Sequence, residues 1–243
     1  MDLELQQQHI LITGATSGIG LAIARRLAQL GAELTLCGRD RARCEALEHE
    51  LGARTLVLDI TDELAVKDAF SDLAPLDGLV NCAGISLLDA ATQVRAADLD
   101  AMLATNVRAA AIVAREAANN MLAAGRAGSI VNVSSQAALV ALEHHLGYCA
   151  SKAALDATTR VLCLELGPHG IRVNSVNPTV TLTPMAERAW SDPAKRDPML
   201  AAIPLGRFAA PDEVALPVAF LLSAAAAMIS GACLPIDGGY TAH

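Results

Sequence analysis

Short apolar runs alternate along the chain with longer stretches in which apolar positions recur every three or four residues. HILIT (9–13), ELTLC (33–37), RTLVLD (54–59), DGLVN (77–81), SIVNVS (129–134), IRVNSV (171–176) and ACLPI (232–236) read as strands. Runs of this kind suit strands covered by helices on both faces of a parallel sheet. Between them, Ile19, Ile23, Leu27 and Leu30 give Gly18 to Leu30 a helical face that Gly31 would end. Further helices are expected over Asp40–Leu51, from about Asp62, around Asp98–Ala124, from about Tyr148 to Gly167 and from near Pro211. The predicted fold is α/β: a single domain over 1–243, a doubly wound Rossmann-type parallel sheet with helices on both faces and right-handed crossovers. The rhythm breaks at about 180–205, rich in Pro, Met and Ala. A long irregular segment in such a domain reads as a functional lid over the substrate or a disordered loop.

Composition narrows the partners. Hydrophobic residues make up 53% of the chain and charged ones 18%, which excludes a disordered or low-complexity protein. Aromatics at 2% argue against stacking platforms for nucleic acid, and a net charge of −8 argues against binding a phosphate backbone, an anionic lipid or an acidic carrier protein. The six cysteines contain no C-x-x-C pair and read as reduced thiols, which with the lack of a basic-then-apolar leader in MDLELQQQHILITG predicts a cytoplasmic location. The most lipid-like stretch, Val214 to Ile229, is too short to span a membrane and is broken by Pro217 and Ser223, so it reads as a buried helix.

Two constellations carry chemistry. Thr13-Gly14-Ala15-Thr16-Ser17-Gly18-Ile19-Gly20 lies between a strand and a helix. Glycines there let the backbone approach a pyrophosphate, which the helix N-terminus favours with free N–H groups and its positive dipole end. At the end of the next strand an acidic side chain would accept from the 2′-hydroxyl of NAD, whereas Arg pairs with a 2′-phosphate. The chain reads Cys37-Gly38-Arg39-Asp40, so Arg39 favours NADP(H); NAD(H) remains possible with Asp40 as the ribose contact and Arg39 as a surface charge. The second constellation is Tyr148-Cys149-Ala150-Ser151-Lys152, with Tyr and Lys on one helical face. A free phenol, with a pKa of about 10, is a poor base at neutral pH, and an adjacent ammonium would lower that value.

These motifs, with Ser135 upstream of Tyr148 and Asn106 in TNVRA, resemble the short-chain dehydrogenase/reductase family over essentially the whole chain. The resemblance implies a catalytic tetrad of Asn106, Ser135, Tyr148 and Lys152. Tyr148 would exchange the proton, Ser135 would polarise the substrate oxygen, Lys152 would also hold the nicotinamide ribose, and Asn106 would fix a water that relays protons. It also implies cofactor contacts from Gly14, Thr16, Ser17, Gly18, Ile19, Gly20, Arg39, Asp59, Ile60, Asn81, Ala83, Gly84, Tyr148, Lys152, Pro178 and Val180, and from Thr183 or its neighbour Thr181. Asn81-Cys82-Ala83-Gly84 departs from the family's N-N-A-G at Cys82, read as a packed thiol, and Pro178-Thr179 replaces the commoner Pro-Gly.

Within the family, LELGPHGIRVNSVNPTVTLTPM (164–185) and AWSDPAKRDPMLAAIPLGRF (189–208) are similar to the dicarbonyl/L-xylulose reductases. That likeness implies an NADP(H)-dependent enzyme interconverting ketone and secondary alcohol on small ketoses, polyols or α-dicarbonyls, assembled as a homotetramer. Substrate contacts would come from Ser135, Gln136, Leu142, His145, Tyr148 and Trp190, with Trp190 alternatively packing a subunit interface. Leu139, Glu143 and His144 belong to the same loop, and the adjacent histidines lack a third ligand, so no metal site is expected. A 3-oxoacyl-carrier-protein reductase is the alternative enzyme, disfavoured by the acidic charge, and a non-catalytic cofactor-binding regulator is disfavoured by the intact tetrad.

Overall fold

The computed structural model describes residues 3–242. Strands β1 (His9–Thr13), β2 (Glu33–Gly38), β3 (Arg54–Val57), β4 (Gly78–Asn81), β5 (Gly128–Val133), β6 (Ile171–Pro178) and β7 (Cys233–Ile236) form one sheet in the order β3-β2-β1-β4-β5-β6-β7. Every pairing is parallel, from His9 opposite Glu33 in β1 and β2 to Pro178 opposite Ile236 in β6 and β7. The order reverses between β1 and β4, and the crevice at the carboxyl ends of these strands is where such sheets bind ligands.

Successive strand residues point to opposite faces, so each face has its own core. Ile10, Ile12, Val80, Val131 and Val176 pack with Ile23 and Leu27 of α1 (Gly18–Gln29) on one side. On the other, Leu11, Leu79, Ile130 and Val173 meet Val113, Ala117 and Met121 of the helix Ala110–Ala123. Helix α2 (Arg41–Leu51) starts at Asp40, whose side chain accepts from Arg43 N–H, and α3 (Glu63–Ser71) starts at Asp62, which caps Leu64 and Ala65.

Four expectations change in detail. The run RTLVLD predicts a strand to Asp59, but pairing with β2 ends at Val57 opposite Gly38, because Asp59 turns to accept from the Thr61 N–H and hydroxyl. The long helix read around Asp98–Ala124 is divided into α4 (Ala96–Leu103), a π-helical turn (Ala104–Ala109) and α5 (Ala110–Ala123). The segment read as irregular holds α7 (Pro184–Ala189) and α8 (Pro193–Ala201), each with proline in its first turn and capped by Thr183 and Asp192 respectively. The helix read to Ile229 is α9 (Pro211–Leu222); Ser223 stops it and caps a following 3-10 turn. Among the described residues no helix is long and apolar enough to cross a membrane.

Candidate active site

The loop after β1 is built for close backbone approach. Gly14 and Gly18 have left-handed φ of 68° and 56°. A Cβ at Gly14 would come within 2.7 Å of the Ala83 backbone, and one at Gly20 would overlap the Gly14 carbonyl. Gly38 gives room to Thr16, whose methyl group would lie 2.5 Å from a Cβ there. The Thr13 hydroxyl accepts from the N–H groups of Cys82 at 3.1 Å and Ala83 at 3.3 Å, which fastens the loop after β4 to the glycine loop. Ser17 is extended and makes no side-chain cap bond, so the first amides of α1 have no side-chain cap, and Ile19 packs back onto the core. This is the donor set that a pyrophosphate requires.

At the far end of the cleft, Asp40 is engaged twice by Arg43, through its N–H at 3.2 Å and as an ion pair at 3.3 Å. Arg39 is exposed and forms no hydrogen bond or ion pair with the described residues. Asp59 is exposed, and its bonds from Thr61 hold its carboxyl below the usual range, with a smaller contribution from Arg39; Ile60 beside it is buried. The Asn81 side chain faces inward, donating to Ala110 O at 3.1 Å and Asn132 Oδ1 at 3.0 Å, so a contact to the cleft from this residue falls to its main chain.

Helix α6 (Leu146–Leu166) carries Tyr148 and Lys152 toward the end of β5. Lys152 is 5% exposed; its Nζ donates to Val133 O at 2.8 Å and lies 5.8 Å from the Tyr148 ring centroid. Ser135, extended and just past β5, lies close enough to the Tyr148 hydroxyl to work against the rise in its pKa, while its Oγ accepts from Ala137 N–H. Gly84 sits against both Asn106 and Lys152: a Cβ there would lie 3.2 Å from Asn106 Oδ1 and 3.6 Å from Lys152 Nζ. The four residues of the expected tetrad therefore converge on one place.

Two roles shift. Asn106, in the π-helical turn, donates to Ile85 O at 2.9 Å and Ser151 Oγ at 3.0 Å and accepts from Ile85 N–H at 2.8 Å. With both amide donors engaged, a water can be held only by the second lone pair of Oδ1 or by the main chain. The Tyr148 hydroxyl was expected to fall below the usual phenol range beside Lys152; burial outweighs everything else and raises it. Burial also brings Lys152 down to about 8, and Asp156 works against that fall. Cys82, packed on the core, is pushed up to about 12 and is a neutral thiol. Tyr148 is thus a protonated acid at neutral pH beside a lysine that is still largely charged.

The surrounding loops are partly assembled as expected. Gln136 is buried, with Oε1 lacking a partner among the described residues. His145 stands edge-on to Tyr148 at 6.2 Å between ring centroids, its Nδ1 bonded to Glu143 O. Leu142 is half-buried and Leu139 exposed. His144 adopts a left-handed φ of 63°, and its carbonyl accepts from Asp89 N–H, so it shapes the turn. Trp190 contacts Phe208 at 5.5 Å and lies beneath Lys195 Nζ at 4.6 Å; its neighbours are within the 180–210 segment and not the tetrad. Thr183 places its methyl group 3.4 Å from where a Cβ on Gly18 would stand, which joins the segment to the glycine loop, while Thr181 is turned inward onto Thr179 O. Pro178 is buried, and Val180 uses its carbonyl to accept from Ala209 N–H. Sequence reasoning did not single out Asp156 and Asn177, although a lone carboxylate one turn beyond Lys152 on a buried helical face was a visible signal.

Comparison with known proteins agrees with this geometry. A family model described as enoyl-(acyl carrier protein) reductase matches residues 14–241. L-xylulose reductase of Bos taurus is 43% identical over 243 residues, covering 100% of both chains. The chain belongs to the short-chain dehydrogenase/reductase family. D-threitol dehydrogenase of Mycolicibacterium smegmatis, a second relative, is 42% identical over 249 residues, covering 99% of this chain and 95% of its own. Among solved structures, a gluconate 5-dehydrogenase from Burkholderia cenocepacia in complex with NADP and tartrate superposes with a TM-score of 0.94 at 30% identity, covering 100% of this chain and 98% of that one. As a short-chain dehydrogenase/reductase the chain is an oxidoreductase that uses a nicotinamide cofactor.

Lys152 loses its charge near pH 8, while Tyr148 and Cys82 stay protonated well above it. Turnover in the reductive direction is expected to fall along a single alkaline limb starting near pH 8. A kcat profile that stays flat to about pH 10, the free phenol range, contradicts the assignment.

Proposed function

We propose that the chain reduces the carbonyl of short ketoses and α-dicarbonyls with NADPH, and oxidises the matching polyols in reverse. The observation that carries the substrate reading is Gln136: a buried amide next to Ser135 whose Oε1 has no partner among the described residues. A buried unpaired acceptor costs about 1–3 kcal/mol, and a substrate hydroxyl would satisfy it where an acyl chain would not. The names of the relatives, a reductase of a ketopentose and a dehydrogenase of a tetritol, support the same class.

A bound nicotinamide supplies the hydride. Ser135 and Tyr148, side by side past the end of β5, present two hydroxyls to one substrate oxygen. Tyr148 donates its proton as negative charge develops on that oxygen, and Ser135 donates a hydrogen bond to it. Lys152 favours the phenolate left behind, and its remaining N–H donors suit ribose hydroxyls. Thr183 accepts from Ala186 N–H as a helix cap and keeps its own proton to donate to a carboxamide, which favours it over the inward-turned Thr181. The lid function of 180–205 rests on its contact with the glycine loop at Thr183. Assembly as a homotetramer would cover Val161 and Leu164, apolar residues exposed at 52% and 78% on α6. Six free thiols suit a reducing, cytoplasmic setting.

Arg39 carries the cofactor preference, since Asp40 is already committed to Arg43. A charge-assisted contact to a 2′-phosphate contributes about 1.5–3 kcal/mol, or roughly 10–150-fold in affinity. Arg39→Ala is expected to weaken NADPH by that factor and leave NADH unchanged in titrations of cofactor fluorescence. Equal losses for both cofactors would show that Arg39 does not discriminate.

The substrate reading is tested with a panel of ketopentoses, diacetyl, C4–C5 polyols and an acetoacetyl thioester with both cofactors. Turnover of the first three groups and little of the thioester is expected, with Tyr148→Phe slower by about 10²–10⁴-fold. Fast thioester reduction alone would favour the acyl-reductase reading, and cofactor binding without any turnover would favour a regulator.

A further inference from the structure

Asp156 lies on α6, one turn beyond Lys152 and two beyond Tyr148, and is 3% exposed. A carboxylate so far from water persists only if it is paired or hydrogen-bonded. Its Oδ1 accepts from Ser175 Oγ at 2.9 Å and its Oδ2 from Asn177 Nδ2 at 2.8 Å. Both donors belong to β6, and Asn177 is fully buried. The same Asn177 amide donates to the main-chain carbonyl of Ser135 at 3.0 Å. The next residues in the chain are Pro178, Thr179 and Val180, which open the 180–205 segment. One carboxylate thus ties the helix of Tyr148 and Lys152 to the backbone of Ser135 and to the root of the lid.

The hydrogen bonds alone do not require a charge. An asparagine at 156 could accept from Asn177 and donate to Ser175 Oγ, because a hydroxyl serves either way. What an amide lacks is the negative charge. Both protein donors to Asp156 are neutral, and the buried cation nearest along α6 is Lys152. The groups facing Lys152 are Tyr148 and Asp156 from α6, the Cys82 thiol from the loop after β4 and the Val133 carbonyl from β5. Among them Asp156 is the one carboxylate. A carboxylate near a buried ammonium in a low-dielectric interior favours the charged form of the ammonium.

We propose that Asp156 and Asn177 are positioning residues for carbonyl reduction: a charged strut that keeps Lys152 cationic and holds Ser135 and the Pro178–Val180 segment in register with Tyr148. The proposal rests on the roles assigned above to Ser135, Tyr148 and Lys152. Asp156 opposes the burial that lowers the Lys152 pKa, so its removal lowers that pKa further. Asn177 acts on geometry, since a shift of about 1 Å in a reacting group can cost roughly 10²-fold in rate.

The test compares D156N, Asn177→Leu and Tyr148→Phe with wild type, following kcat and KM from pH 6 to 10, about the span between His and Lys titration. Thermal unfolding and NADPH binding are measured alongside. D156N is expected to fold and bind NADPH as wild type does, while its alkaline limb moves to lower pH by about one unit. Asn177→Leu should leave the limb in place and lower kcat by about 10–100-fold, with little change in KM for the carbonyl. A uniform loss in D156N at every pH with an unmoved limb would reduce Asp156 to a packing role and overturn its half of the proposal. Wild-type kcat in Asn177→Leu would overturn the other half. Should D156N fail to accumulate as folded protein, Asp156→Ser takes its place in the pH profile with the same two outcomes, and Asn177→Leu still decides the Asn177 half. Tyr148→Phe separates the two levels: near-normal turnover there refutes the site itself, whereas an inactive Tyr148→Phe with wild-type strut variants refutes the strut alone.

Discussion

Lys152 carries an ammonium to a position 5% exposed, where its hydrogen-bond acceptor among the described residues is the Val133 carbonyl. Keeping a charge there is unfavourable, and burial takes its pKa down to about 8. The rest of the site answers to that constraint. Tyr148 lies one turn before it on the same helix, Gly84 has no side chain to crowd it, and Asn106 clamps the loop that brings Gly84 close. The under-satisfied ammonium has donors to offer, and sugar hydroxyls suit them.

The sheet makes this arrangement possible by bringing distant stretches of chain to one edge. Gly14 and Ala83 meet because β1 and β4 are neighbours where the strand order reverses. Ser135 and Asn177 meet because β5 and β6 are paired in register from Gly128 opposite Ile171 to Val133 opposite Val176. Residues with no sequence proximity thus share one crevice, with the glycine loop at one end and the loop 136–145 at the other. Catalytic demand and packing demand coincide at the strand ends, where Asn81, Asn132, Ser135 and Asn177 are buried and Asp156 of α6 packs against them.

Much of this was legible in the sequence because it rests on local rules. Apolar runs gave the seven strands, and glycines between a strand and a helix gave the cradle; Tyr148 and Lys152 announce themselves by helical spacing. What escaped depends on partners remote in the chain. The π-helical turn at Asn106 has no local sign, since it exists to let one amide reach Ile85 and Ser151 together. The early end of β3 comes from an Asp59–Thr61 turn, a choice between two local hydrogen-bonding options. The helices of 184–201 were signalled by Thr183-Pro184 and Asp192-Pro193, a cap followed by proline, but the abundance of proline elsewhere in the segment masked them. The direction of the Tyr148 shift depends on burial as well as on the neighbouring charge, and a sequence displays only the charge.

That balance between burial and charge at Tyr148 is the centre of the account, and it can be measured. Only two tyrosines are present, so Tyr240→Phe leaves Tyr148 as the sole phenol. Ultraviolet difference titration at tyrosinate wavelengths then reads its ionisation directly, for the chain alone and with saturating NADP+ or NADPH. The account predicts a pKa above the ordinary phenol value of about 10 for the chain alone, and a fall with NADP+, whose nicotinamide ring is cationic, that NADPH does not produce. Tyrosinate appearing near neutral pH in the chain alone, or equal effects of the two cofactors, would contradict it.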